Sequence, residues 1–269
     1  MSVETVVVAH DGRTTIVTID RPERRNAVDA ATADALVAAF RAFDSDDASD
    51  VAILRGAGGA FCAGADLRAL ADGERRTVRA DGDVAPMGPP RLRLSKPVIA
   101  AIEGPAVAGG FELALWCDLR VAGRSAVMGV LNRRFGVPLV DLGTIRLPRM
   151  IGHGRAMDLV LTGRRVDMAE ALAIGLVSRV VEDGAALDAA LALAAELSRF
   201  PQTGMRNDRC SLLEQWDLGE ADAIRNEIAR GLDTIASGEH LDGARRFAAG
   251  AGRHGIVRDE AVAGSDADR

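Results

Sequence analysis

The stretch Lys96-Pro-Val-Ile-Ala-Ala-Ile-Glu-Gly-Pro-Ala-Val-Ala-Gly109-Gly110-Phe-Glu112-Leu-Ala-Leu-Trp-Cys-Asp118 reads as a strand, a turn of small residues and the opening of a helix. The same order occurs upstream, where Val51 to Leu54 is followed by Gly58-Gly-Ala-Phe-Cys-Ala-Gly-Ala-Asp66-Leu67. Each helix opens near a carboxylate, Asp66 in one unit and Glu112 in the other. Strand, tight turn and helix, repeated, predict an α/β arrangement whose ligands sit where helix N-termini gather.

Working outward, Thr5 to Val8 and Thr14 to Ile19 are β-branched runs on either side of Asp11-Gly12, a pair suited to a hairpin turn. Leu36, Phe40 and Phe43 fall at i, i+4 and i+7, the stripe of a core-facing helix over Ala31 to Phe43. Ala71 to Arg93 is rich in Asp, Gly, Arg and Pro and reads as a mobile surface loop. Further on, Leu119 to Ala122 and Ala126 to Val130 are strand-like and Arg155 to Leu161 is helical. Asp167-Met-Ala-Glu170 has the form of a capping box for a helix through Ile174. Leu176 to Val181 is expected as a last strand and Ala186 to Phe200 as an apolar helix. No strand is expected beyond Pro201. The division is therefore a core over 1–200, a helical C-terminal subdomain over 201–257 that could serve as an oligomer contact, and a polar tail over 258–269.

With 269 residues, 48% hydrophobic and 27% charged, the chain has an ordinary globular composition. Its net charge of −6 lacks the basic excess of a general nucleic-acid binder. Lys96 is the only lysine, so a side chain that holds a phosphate would be a guanidinium fork. Cys62, Cys117 and Cys210 form no C-x-x-C pair, which argues against a zinc ribbon or a disulfide framework and fits a reducing cytoplasm. No apolar run approaches a membrane span, no targeting segment is evident, and the four histidines have no metal-ligand spacing.

Glycine and alanine let a ligand approach the main chain, and a turn entering a helix leaves outward N–H groups backed by the helix dipole. Two such turns could form an oxyanion hole. On these two segments the chain resembles the crotonase superfamily, which includes enoyl-CoA hydratases and isomerases. The likeness extends to Arg21-Pro22 with Asn26-Ala27, Leu161-Thr-Gly163, Glu170-Ala171 and Gly175-Leu-Val-Ser178, and so covers nearly the whole chain.

The resemblance implies a spiral of repeated ββα units with a helical C-terminal subdomain. It assigns the oxyanion-binding N–H groups to Ala65 and Gly109, and coenzyme A contacts to Arg24, Ala27, Ala63, Asp66 and Leu67. Glu112 takes the place of one of the family's two catalytic glutamates; its plainer role is to compensate a helix dipole. The place of the second holds Asn132, which can orient water but cannot exchange a proton with it at neutral pH. Asp141, in Asp141-Leu-Gly-Thr-Ile-Arg-Leu-Pro148, is either the missing acid/base or the N-cap of a helix starting near Gly143. The implied substrate is an acyl-CoA thioester, with no separate cofactor and no metal. The expected assembly is a homotrimer or a dimer of trimers. The leading expectation is an enoyl-CoA hydratase that adds water to a 2-enoyl-CoA, with an enoyl-CoA or dienoyl-CoA double-bond isomerase and a catalytically weak acyl-CoA-binding protein as the alternatives.

Overall fold

The hairpin forms about Asp11-Gly12: β1 (Val6–Asp11) runs antiparallel to β2 (Thr14–Ile19), with Gly12 at φ +54°. The computed structural model describes residues 5–73 and 78–251. β2 pairs in parallel with β3 (Val51–Gly56), β3 with β4 (Val98–Ile102), β4 with β6 (Leu119–Gly123) and β6 with β8 (Arg179–Val181). A second, smaller row stands alongside, in which β5 (Pro105–Val107) pairs with β7 (Val127–Gly129). Isolated bridges extend that row, Cys62 to Ala106 on one side and Met128 to Val166 on the other. Each turn of the chain lays one strand in the large sheet and one short extended piece in the small row before its helix. That is the expected spiral of ββα units.

The helices of this first unit are α1 (Ala30–Ser45), α2 (Leu67–Ala71), α3 (Gly109–Trp116), α4 (Gly143–Ile151), α5 (His153–Thr162), α6 (Met168–Ala173) and α7 (Ala186–Ser198). Alternate strand residues feed two cores. Ala52, Leu54, Val98, Ala100 and Ile102 pack with Leu36, Phe40 and Phe43 of α1, whereas Val51, Ile53, Ile99, Ala101 and Val121 pack with Ala186, Ala190 and Leu193 of α7. Covered faces on both sides explain why these strands are continuously apolar. Phe40 meets Trp116 edge to face at 4.7 Å between ring centroids. Lys96 fastens the end of α1, its Nζ donating to the carbonyls of Phe43 (3.1 Å), which also accepts from the Asp46 N–H, and Asp46 (2.7 Å), carbonyls at a helix terminus that lack an i+4 partner.

Several expectations are corrected. The helix that the pattern places over Glu112 to Cys117 starts earlier, at Gly109, where the first turn needs backbone room more than helix propensity: a Cβ on Gly110 would lie 2.1 Å from the carbonyl oxygen of Cys62. The last strand begins at Arg179, since the N–H groups of Leu176 and Val177 turn back to the Ala171 carbonyl at the end of α6 (2.8 and 3.2 Å). Asp167 caps α6 by accepting from the Glu170 N–H (2.9 Å), but the Glu170 carboxylate pairs with Arg164, so only half of the capping box forms. The loop after α2 is not a surface loop throughout. Residues 74–77 lie outside the described residues, but Ala85, Met87, Pro89, Pro90 and Leu92 are buried, and the Trp116 indole N–H donates to the Leu92 carbonyl (3.1 Å).

The chain divides into two compact units, Met1–Arg199 and Phe200–Arg269. In the second, α8 (Gln202–Glu214), α9 (Glu220–Ser237) and α10 (Glu239–Ala248) are helical. Glu214 of α8 receives Arg230 Nε (2.8 Å) and Asn226 Nδ2 (2.9 Å) of α9. The Glu239 carboxylate takes the first free N–H groups of α8, those of Thr203 and Gly204, at 3.0 Å each, where a negative charge is favoured. Ile224, Ile228, Leu232 and Ile235 form an exposed stripe along α9. Residues 252–257 of the expected helical part and the expected tail 258–269 lie outside the described residues.

Gly110→Ala should be strongly destabilising, by about 1–3 kcal/mol or more for an overpacked site, because its new methyl meets main chain rather than a flexible side chain. Urea unfolding would measure this; a stability equal to wild type would mean that the seam between Cys62 and α3 can open.

Candidate active site

Two turns face one cavity of about 400 Å³. In the first, Gly64 is at φ +98°, and its carbonyl accepts from the Val28 N–H (2.8 Å) while the Asp66 N–H donates to the Val28 carbonyl (2.9 Å). Ala65 is held between these bonds. In the second, Ala108 precedes α3 at φ +55°, ψ −125°, and its N–H donates to the Gly129 carbonyl (3.0 Å). A non-glycine residue in that region is strained, a state that persists only where surroundings enforce it. The turns touch: a Cβ on Gly64 would stand 2.8 Å from the Gly109 nitrogen and 2.9 Å from Ala108 Cβ. Ala65 and Gly109 both line the cavity, and neither N–H donates to the backbone of another described residue.

Arg21 anchors the first turn. Its Nη2 pairs with Asp29 (2.8 Å) and Asp66 (3.0 Å), and its Nη1 donates to the Ala27 carbonyl. Asp66 also caps α2, accepting from the N–H groups of Arg68 and Ala69. Burial works against its charge, but these N–H groups and Arg21 outweigh burial and hold its carboxyl below the usual range.

Glu112 is 2% exposed and Asp141 3%. Glu112 Oε1 accepts from the N–H groups of Asp141 (3.0 Å) and Gly143 (2.8 Å), so a carboxylate in the first turn of α3 also caps α4. Asp141 does not cap α4. The N-cap is Leu142, in left-handed backbone at φ +72°, and Asp141 Oδ1 instead accepts from the Met87 N–H (2.7 Å). Both carboxyl groups border the cavity. Burial, and secondarily the charge of Asp141, push the Glu112 carboxyl up to about 8 against the opposing N–H bonds. Asn132 donates from Nδ2 to the Val137 carbonyl (2.7 Å), and its buried Oδ1 has no hydrogen-bond partner among the described residues.

Of the residues singled out in the sequence, Ala63, Ala65, Asp66, Leu67, Gly109, Glu112, Asn132 and Asp141 line this one cavity. Arg24 and Ala27 do not. Ala27 is buried, and Arg24 ends a short 3-10 turn, Pro22–Arg24, with Nη1 buried and no acceptor among the described residues. Sequence reasoning missed Arg21 as an anchor, and missed Met87, which holds Asp141 and whose sulfur would lie 2.6 Å from a Cβ on Gly109. The signal for Met87 was Gly88-Pro-Pro90, an ordered turn with Gly88 at φ +91°. Leu131, Phe135, Val137 and Val140 give the remaining wall its apolar character.

The sequence model described as enoyl-CoA hydratase/isomerase matches residues 11–250. The chain belongs to the enoyl-CoA hydratase/isomerase family. It is 37% identical to the enoyl-CoA hydratase EchA19 of Mycobacterium tuberculosis, over 90% of this chain and 92% of that one. A probable enoyl-CoA hydratase of Rhizobium meliloti is 35% identical over 93% of this chain and 96% of its own length. Among solved structures, the enoyl-CoA hydratase EchA1 of Mycobacterium marinum superposes with a TM-score of 0.85 at 37% identity, covering 91% of this chain and 96% of that one. The family's fold, a spiral α/β core followed by helices, is the fold of this chain.

For this family member, the state of Glu112 links stability to pH. In the unfolded chain its proton leaves near 4.5; in the folded chain it stays until about 8. Between those values the unfolded state binds fewer protons, so this group's contribution is fully present below 4.5 and is lost as pH rises towards 8. Glu112→Gln keeps an Oε1 acceptor without the charge. Its Tm, measured against wild type, should therefore improve progressively from pH 5 to pH 8. A difference that does not change with pH would show that the carboxyl titrates normally.

Proposed function

We propose that the chain hydrates a 2-enoyl-CoA thioester. The observation that carries this reading is a pair of buried carboxyl groups, Glu112 and Asp141, in one cavity with two free N–H groups. The thioester oxygen accepts from Ala65 and Gly109, which lowers the cost of enolate charge by several kcal/mol. Water rests on Asn132 Oδ1 and gives a proton to Asp141 as its oxygen bonds to C3. The electron pair moves to the thioester oxygen, and as it returns Glu112 protonates C2. The proton on Asp141 then passes to Glu112, which restores the starting state. A carboxyl with its pKa raised to about 8 holds the proton this acid step needs at neutral pH.

In this proposal the adenine end of coenzyme A lies against Ala63 to Asp66, with main-chain contacts at Ala27 and Leu67 and the phosphates near Arg24. Coenzyme A enters as part of the substrate and no further cofactor takes part; among the described residues no cluster of three or more His, Cys, Asp or Glu could hold a metal. The free cysteines support a cytoplasmic setting. Among the described residues no helix is long and apolar enough to cross a membrane, and the net charge of −6 supports a protein without nucleic-acid partners. The exposed stripe on α9 supports assembly as a homotrimer or a dimer of trimers. Sedimentation should return three or six chains; a monomer at micromolar concentration would contradict this.

Asn132 favours a second reading. With no glutamate there, one carboxyl could move a proton along the acyl chain as a double-bond isomerase. Kinetics with crotonyl-CoA and a 3-enoyl-CoA separate the two. For a hydratase, Glu112→Gln and Asp141→Asn should each lower kcat by about 10²–10⁴, and the double variant should fall far short of the product of the two losses. Normal hydration in Asp141→Asn would remove Asp141 from the mechanism. Turnover of the 3-enoyl-CoA alone would establish the isomerase.

A further inference from the structure

Arg146 lies on the first turns of α4, one turn beyond Gly143, whose N–H holds Glu112. Its Nη2 donates to the Pro90 carbonyl at 2.6 Å, and its Nη1 is buried with no acceptor among the described residues. Pro90 belongs to the same ordered segment as Met87, whose N–H holds Asp141. We propose that Arg146 is a positioning residue of the active site, tying the helix that fixes one carboxyl to the segment that fixes the other and placing a positive charge beside Glu112.

Two observations support the electrostatic half. Arg146 is near enough to Glu112 to oppose the upward push on that carboxyl. Burial in turn drives the guanidinium down to about 10, against the favourable charges of Glu112 and Asp118 and with Arg149 as a like neighbour. The charged groups that face Glu112 are thus Asp141, from the segment before α4, and Arg146, from α4 itself. A buried cation whose Nη1 has no acceptor among the described residues stabilises the fold poorly on its own account. Its placement is better explained by what it does to its neighbours: without it, Glu112 would feel burial and Asp141 with no counter-charge.

The kinetic half of this inference rests on the hydratase reading; the titration does not. The test compares wild type with Arg146→Met, Arg146→Gln and Arg146→Lys, following the Glu112 carboxyl by ¹³C NMR of labelled glutamate, with Glu112→Gln to assign the signal. Loss of the cation in Met and Gln should move the midpoint upward by about one pH unit, the low end for a neighbouring charge, and Lys should restore most of the difference. With crotonyl-CoA, kcat should fall by about 10- to 100-fold in Arg146→Met, with KM within about twofold because the coenzyme A contacts are untouched, and the alkaline limb should move with the NMR midpoint. Should the Met variant not fold, Gln keeps a donor for Pro90 and reads the same charge loss. An unmoved midpoint in a folded Met or Gln variant overturns the inference, whatever the activity. A moved midpoint in a protein that turns over no enoyl-CoA keeps Arg146 in this role and overturns the hydratase reading instead.

Discussion

The contact on which the site depends is main chain against main chain. The segment from Cys62 to Ala65 lies so close to the start of α3 that Gly110 and Gly64 can carry no side chain, their virtual methyls falling 2.1 Å from the Cys62 oxygen and 2.8 Å from the Gly109 nitrogen. Cross-bonds close the seam, from the Val107 N–H to the Cys62 carbonyl and from the Cys62 N–H to the Pro105 carbonyl, each 3.0 Å. Because the two turns are fixed to each other, the proposed oxyanion donors, the N–H groups of Ala65 and Gly109, need not reorganise when charge appears. The strained Ala108 is tolerated for the same reason.

Glu112 shows how competing effects are resolved by their size. It stands in the first turn of one helix and accepts from the first N–H of another, that of Gly143, positions that favour the ionised form by about 0.3–1 kcal/mol each at exposed sites. Removal from water, together with a second carboxylate nearby, acts in the opposite direction and wins. The result is an acid that keeps its proton at neutral pH yet stays within reach of losing it.

Much of this was legible in the sequence because it rests on local patterns. The hairpin follows from Asp11-Gly12 between β-branched runs, the spiral from the repeated order of strand, small-residue turn and helix, and one side of the cavity wall from the two Gly/Ala segments. What escaped is set by contacts distant along the chain. Arg21 reaches Asp66 across 45 positions and Met87 reaches Asp141 across 54, and no periodicity announces either. Asp141 left two roles open because a carboxylate two residues before a helix looks the same whether it turns in to the helix or away from it. The left-handed Leu142 decides the matter by rotating the chain between them. The start of the last strand was misplaced for a related cause, since Leu176 and Val177 are apolar for packing but spend their N–H groups on a turn.

Lys96 adds a point about chemical exposure. It is the only lysine in the sequence, it is 3% exposed, and its Nζ is engaged by two carbonyls beneath the end of α1. Thioesters transfer acyl groups spontaneously to accessible unprotonated amines, and a protein that spends its life holding them is a standing target for such adducts. Here every other basic side chain apart from histidine is a guanidinium, which remains protonated. The surface consequently offers thioesters no lysine to acylate, and amine-directed dyes or crosslinkers will find no side chain there to label.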